Sequence, residues 1–192
     1  MNEGFYLFFF LSNDQEGKLK MSTQSNSNNK KRASSALRVA RISIFTALSV
    51  IGSFITPYPV ISTIALDSSP GFFAALYFGA IDGLLITGLG HIVTSVINGF
   101  PLGTLHYVIA AGMAVAGGTM GLVNKLNKKW GFIPGAVVSV VINTVLSVVM
   151  VPTIGWEATI ANVTVPLMLA ASLNAAIAVI LYVAVRNRRI NI

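Results

Sequence analysis

The chain has 192 residues, 54% hydrophobic and only 10% charged, with a mean hydropathy of +0.75, more apolar material than a soluble domain of this size buries. Its net charge of +7 comes from basic residues in three short clusters beside apolar runs, without aromatic interleaving, which fits membrane topology better than nucleic-acid binding. The absence of cysteine excludes disulfides, thiol nucleophiles and Cys-ligated metal centres.

Residues Met1 to Leu11 form an apolar run too short to span a bilayer, and the run opens with an acid rather than the basic region of a signal peptide. The Ser/Asn-rich stretch that follows has no periodicity, so residues 1–36 read as a disordered cytoplasmic tail, with Met21 an alternative start. The membrane domain is expected over 37–189. Helix 1, Leu37 to Thr56, begins with Arg38 and Arg41 and stops at Pro57. Its Ser43 and Ala47 form a small-xxx-small pair, suited to close approach by another helix within the molecule or outside it.

A loop from Tyr58 to Ser69 carries Asp67, placed either to favour the next helix start or to meet a ligand. Ser69 and Pro70 are helix-start chemistry. Phe72 to Ile97 reads either as one long tilted helix or as two short ones broken near Gly79, Asp82 and Gly83. Charge decides between them: one helix would put Lys125, Lys128 and Lys129 on the opposite side from the other basic clusters. Two helices are therefore expected, with Asp82 in a tight cytoplasmic turn. Helix 3, about Gly83 to Ile97, carries His91, and Asn98 to Gly103 forms an outward turn.

Helix 4, about Thr104 to Val123, is rich in Gly and Ala at four-residue spacing, which fits a tightly packed central helix. Trp130 anchors the following inward loop. Helix 5 runs from about Ile133 to Val151 and holds Asn143; Pro152 ends it. An outward loop with Trp156 and Glu157 leads to helix 6, about Val163 to Val185, with Asn174 inside it. The fold class expected is all-α, a polytopic membrane protein of six transmembrane helices with both termini cytoplasmic. All thirteen Lys and Arg then fall on one face.

No P-loop, HExxH, GxSxG or dinucleotide fingerprint occurs, so the chain is not expected to be an enzyme or to hydrolyse ATP. Intramembrane Lys and Arg are absent as well, so transport by this chain would draw its energy from a partner. His91 and His106 lie on separate helices that bring them together in the outer half. A two-His metal site lacks a third ligand there, and hydrogen-bonded histidines that brace the bundle or orient a ligand are the commoner case. The outward segments gather Tyr58, Asp67, Phe100, His106, Trp156, Glu157 and Asn162, a mixture that suits an interfacial belt or a flat organic ligand.

Over about Leu37 to Arg189 the chain resembles the substrate-binding S-components of energy-coupling factor (ECF) transporters. Asp67 with the run SSPGFFAALYFG directly after it, then GHIVTSVINGFPLG and His106, is most similar to members assigned to cobalamin and its precursor α-ribazole. The resemblance implies capture of a vitamin from outside a bacterial plasma membrane. Its partners would be a transmembrane coupling protein and two cytoplasmic ATPases of the ABC type, with membrane lipid around it and no nucleic acid or cofactor. Ser43 and Ala47 match the family's helix 1 docking pair, Ser standing for the first Ala. Asp67, His91, Asn98, Phe100, His106 and Trp156 are the expected substrate-binding residues. Two rivals make different predictions: an S-component for a pyrimidine or another small vitamin would have a small closed pocket. A non-transport membrane protein, an enzyme using His91 and Asp82 or a structural subunit, would not copurify with a coupling protein.

Overall fold

The computed structural model describes residues 24, 32–55, 65–127 and 129–187, and among these every regular element is helical. The chain divides into two units, 1–41 and 42–192. In the first, the described chain is helical from Arg32. The disordered-tail reading falls mainly on residues outside those described, as do Tyr58 and Lys128.

In the second unit, the end of α1 (Arg32–Ser53) is set where Gly52 meets the Leu66 carbonyl, an approach that leaves no room for a Cβ. The contact draws Ala65 to Asp67 onto the helix end. Then α2 (Ser69–Tyr77) runs for nine residues with Pro70 in its first turn, about 13 Å of helix against a hydrocarbon core of about 30 Å. It stops at Phe78, and Gly79, at φ 115°, reverses the chain in a conformation side chains rarely adopt. The returning helix, α3 (Ala80–Ile97), lies antiparallel to α2, with Gly71 against Thr87 and Ala75 against Gly83. The hairpin reading therefore describes the segment, but the turn is at Phe78–Gly79. Asp82 sits in the first turn of α3, 4% exposed, rather than in the turn itself.

Small residues let α4 (Leu105–Leu126) press into this hairpin: Gly117 abuts Thr87 and the Gly83 carbonyl, and Gly121 abuts Ala80 and the Ala75 carbonyl. Gly112 faces Leu146 of the next helical run, and Gly135 lies against the Met120 backbone. The Thr87 hydroxyl lies 2.8 Å from the Met113 carbonyl, and the Ser139 hydroxyl 2.8 Å from that of Ala116. Phe72, Leu76, Ala116, Met120, Phe132 and Ala175 form the apolar centre.

From Phe132 the chain stays helical to Val185, 54 residues or about 80 Å of helix, more than twice a bilayer core. It doubles back instead of running straight. After α5 (Phe132–Val145) and a 3₁₀ stretch (Leu146–Met150) comes α6 (Val151–Thr159), interrupted by Gly155 at φ 77°, ψ 170°. A π-helical turn (Ile160–Thr164) leads into α7 (Val165–Val185). Ser147 pairs with Thr164 at one end, and Arg186 lies over Phe132 at the other, so α5 and α7 are antiparallel. The outward loop expected around Trp156 is thus helical on both sides of one glycine, and Pro152 opens α6 rather than merely ending α5.

Burial is inverted relative to a soluble protein. Val137, Val141, Leu169, Leu173 and Ile180 are exposed on the outside while Ser49, Ser95, Ser139 and Asn174 are buried and hydrogen-bonded. That is the distribution expected of a surface facing lipid. Among the described residues four helices are long and apolar enough to cross a membrane.

Candidate functional site

The segment Ala65–Ser69 is held by a side chain more than a hundred residues away. Asn174 of α7 accepts hydrogen bonds at Oδ1 from the Ser68 and Ser69 amides, at 3.1 and 2.8 Å, and donates through Nδ2 to the carbonyls of Ala65 and Ala170, both at 2.9 Å. No side chain from α2's own N-terminus caps it; Asn174 takes that place. The adjoining Asp67 is 7% exposed and accepts a bond from the Ser68 hydroxyl at 2.9 Å.

Asp67 begins a chain of polar groups. His91 Nδ1 lies 4.0 Å from its carboxylate, His91 Nε2 lies 3.2 Å from His106 Nδ1, and the Leu102 amide donates to His106 Nε2 at 3.3 Å. That backbone donor fixes the tautomers. With Nε2 an acceptor, neutral His106 carries its proton on Nδ1, directed at the Ser95 hydroxyl (2.9 Å) and His91 Nε2, while the Ser95 hydroxyl donates to the His91 carbonyl. His91 Nε2 is then an acceptor too, and its own proton is on Nδ1, towards Asp67. Three of the four ring nitrogens are hydrogen-bonded inside the protein, and the fourth, His91 Nδ1, faces Asp67 at 4.0 Å. The pair braces the wall without leaving a lone pair for a metal.

Burial pushes the Asp67 carboxyl up to about 6 from its ordinary 3.8, and the Ser68 bond offsets this only in part. The Thr94 hydroxyl, also buried, adds a little stabilisation to the charged form without completing a hydrogen bond. The folded chain holds this proton more tightly than the unfolded one. The resulting stability is present below about pH 4 and lost as pH rises through about 6. Ligand-free protein is therefore expected to lose about 3 kcal/mol from this group across that interval. Asp67→Asn should remove the corresponding fall in melting temperature; an unchanged pH profile would count against a buried carboxyl here.

Beside this chain lies a cavity of about 360 Å³. It is bounded by the Ala65–Ser68 segment, His91, Leu102, the first half of α4, the end of α5 with its 3₁₀ extension, Ile154, Asn162, and the start of α7. Most of the wall is aliphatic, with Ile109, Met113, Leu146, Met150 and Leu167 prominent. Asp67, Ser68, His91, Asn143, Ser147, Asn162 and Asn174 supply the polar groups. Asn143 differs from the rest: it is 5% exposed, yet its amide makes no hydrogen bond within the described residues.

Of the sequence-selected residues, Asp67 and His91 line this cavity directly. His106 stands behind His91, fully buried, with Phe100 edge-on to it at 5.5 Å. Phe100 takes φ 51° in the turn between Gly99 and Gly103, with its ring against His106 and Tyr107. Asn98 bonds the Thr94 carbonyl at 2.9 Å and closes α3. Trp156, 61% exposed on α6, is not part of the wall. Ser43 and Ala47 are both exposed on α1. Ser68, Asn143 and Ser147 join the wall without having been selected. For Asn143 the available signal was an amide inside an otherwise apolar helix.

The other end of this unit is basic: Lys125, Lys129 and Arg186 gather there, with Arg186 Nη1 donating to the Lys129 carbonyl at 3.2 Å and Trp130 beside Lys129. The residues that line the cavity lie towards the ends of α3 and α5 remote from these groups.

No curated protein and no solved structure gives a match to the chain. A family model described as ECF transporter, substrate-specific component matches residues 37–186. Proteins of this kind are membrane subunits that bind small substrates and work with an energising module of ATPases and a transmembrane component. With most of its length matched, the chain belongs to the family of substrate-specific components of ECF transporters.

Proposed function

We propose that this chain captures a cobalamin precursor of α-ribazole size at the outer face of a bacterial plasma membrane, in the cavity beside Asp67 and His91. The observation that carries the reading is the cavity's volume and lining. A space of 360 Å³ holds on the order of twenty non-hydrogen atoms at organic-crystal packing density, about the number in a benzimidazole ribonucleoside. Intact cobalamin is several times larger than this volume and would have to extend beyond it. In this reading Asp67 and His91 face the ligand, His106 and Phe100 hold His91 in place, and Asn98 and Trp156 belong to the rim. Six membrane segments with both termini inside put the basic end in the cytoplasm and the cavity outside. The exposed pair Ser43 and Ala47 meets the coupling protein.

Titration calorimetry on the purified chain is the test, with α-ribazole, cobinamide and cobalamin as ligands. Saturable binding of α-ribazole alone is expected; binding of cobalamin alone would overturn the size argument. The small cavity also favours a second reading, an S-component for a pyrimidine-type vitamin, which the same titration with pyrimidine probes separates.

The orientation has its own test, made simple by the lack of native cysteine. In intact cells an impermeant maleimide should label Glu157→Cys at once and Lys129→Cys only after permeabilisation. The reverse pattern would invert the topology.

A further inference from the structure

Apart from the Asn143 amide, the groups at the cavity that would receive an anion are already occupied or of the wrong sign. Among the described residues lining it there is no Lys or Arg, and Asp67 is the one carboxylate. The start of a helix is the usual backbone site for a carboxylate or phosphate, but here the Ser68 and Ser69 amides are taken by Asn174 Oδ1. The Leu102 amide, the next exposed-end donor on the wall, is taken by His106 Nε2. The His91 Nδ1–H faces the Asp67 carboxylate at 4.0 Å, too far for a hydrogen bond but on the side of the acid, where an anion is repelled. One amide in the wall remains open at both its donor and its acceptor. Asn143, in the wall and 5% exposed, presents both an amide N–H and a carbonyl with no internal partner. Its polar atoms are open to the cavity, so a ligand edge bearing a matching acceptor and donor can pair with them.

Building on the reading above, we infer that the cavity selects an uncharged or cationic nitrogen heterocycle, hydrogen-bonded by Asn143, and rejects carboxylate and phosphate forms of the same molecule. The ring lies against Met113, Leu146 and Met150, whose flexible or branched side chains fit a flat face. An anionic group in this site would face Asp67 with no countercharge and no free backbone donor. Specificity of this kind works by rejection as much as by attraction: the unphosphorylated nucleoside enters and its nucleotide does not.

Asn143→Leu tests the role of the amide with two opposed readouts. Because the Asn143 side chain makes no internal bond, the ligand-free variant should melt at the same temperature as the parent or higher, while affinity for a neutral ligand falls at least tenfold. A merely structural asparagine would give the opposite: lower melting and unchanged affinity. Charge selection is read by calorimetry on the full chain with neutral and phosphorylated pairs, α-ribazole and its 5′-phosphate, riboflavin and its 5′-phosphate, and pyridoxine and its 5′-phosphate. For whichever neutral member binds, the phosphate should bind at least a hundredfold more weakly. Equal or tighter binding of a phosphate overturns the inference, as does the failure of all six probes to bind a chain that still copurifies with a coupling protein and ATPases. Loss of that copurification instead removes the transporter reading itself.

Discussion

Replacing Asn174 with Ala should lower the melting temperature of the purified protein by about 10 °C or more and abolish ligand binding with it. Four bonds are lost at one side chain that is 1% exposed. Two of its partners are the amides at the start of α2, and a third is the Ala65 carbonyl, so three backbone groups lose the partner Asn174 provided. At about 1–3 kcal/mol for each buried unsatisfied group, the total is several kcal/mol, much of a typical domain's net stability. The same groups hold Asp67 against the cavity, which is why binding falls together with stability. Asn124 provides the comparison. It gives a single bond to the Leu76 carbonyl at 3.0 Å, and Asn124→Ala should cost about 1 kcal/mol, the range of single interhelical bonds in membranes. Equal melting of the two variants would show that the remote cap is not what holds α2.

A methyl group added at Gly121 should be more damaging than the same methyl three residues earlier. A Cβ at Gly121 would lie 2.6 Å from the Ala80 Cα and nitrogen and 2.9 Å from the Ala75 carbonyl oxygen. These are backbone atoms on both sides of the α2–α3 turn and have no rotamer to yield with, so α4 must move off the hairpin. Overpacking of this kind costs about 1–3 kcal/mol or more. At Gly118 the nearest atoms are Leu84 side-chain carbons at 3.4 Å, ordinary contact, and there the helix-propensity gain of about 1 kcal/mol has nothing to oppose it. Gly121→Ala is expected to lower melting temperature and yield, and Gly118→Ala to hold or raise them, measured side by side in detergent. Equal effects would mean that α4 is not seated against the hairpin as described.

These two variants also mark what can be read from sequence. The close approach along α4 was legible, because small residues four apart on an apolar helix have few other uses. The α2–α3 hairpin was legible through charge, although the turn falls at Gly79, whose positive φ matters more than the acid at Asp82. The meeting of His91 and His106 followed from a spacing that joins two helices through a short turn. The segment around Trp156 was misread because its polarity resembles a loop, while a single residue, Gly155, does all the turning and leaves the rest helical. The role of Asn174 was not legible at all: its partners are 105 and more residues away, and nothing local distinguishes a remote cap from any other amide in a helix. The cavity's size was equally hidden, since it depends on how far Leu146, Met150 and Leu167 reach into the space.

ATP-dependent uptake into proteoliposomes is the most direct measurement, with this chain, its coupling protein and the two ATPases reconstituted and labelled α-ribazole outside. Accumulation that needs both ATP and this chain, and that Asp67→Lys abolishes while the complex still assembles, is the result expected. Accumulation at an equal rate without the chain, or none from an assembled complex that hydrolyses ATP, would contradict its assignment as the subunit that captures this ligand.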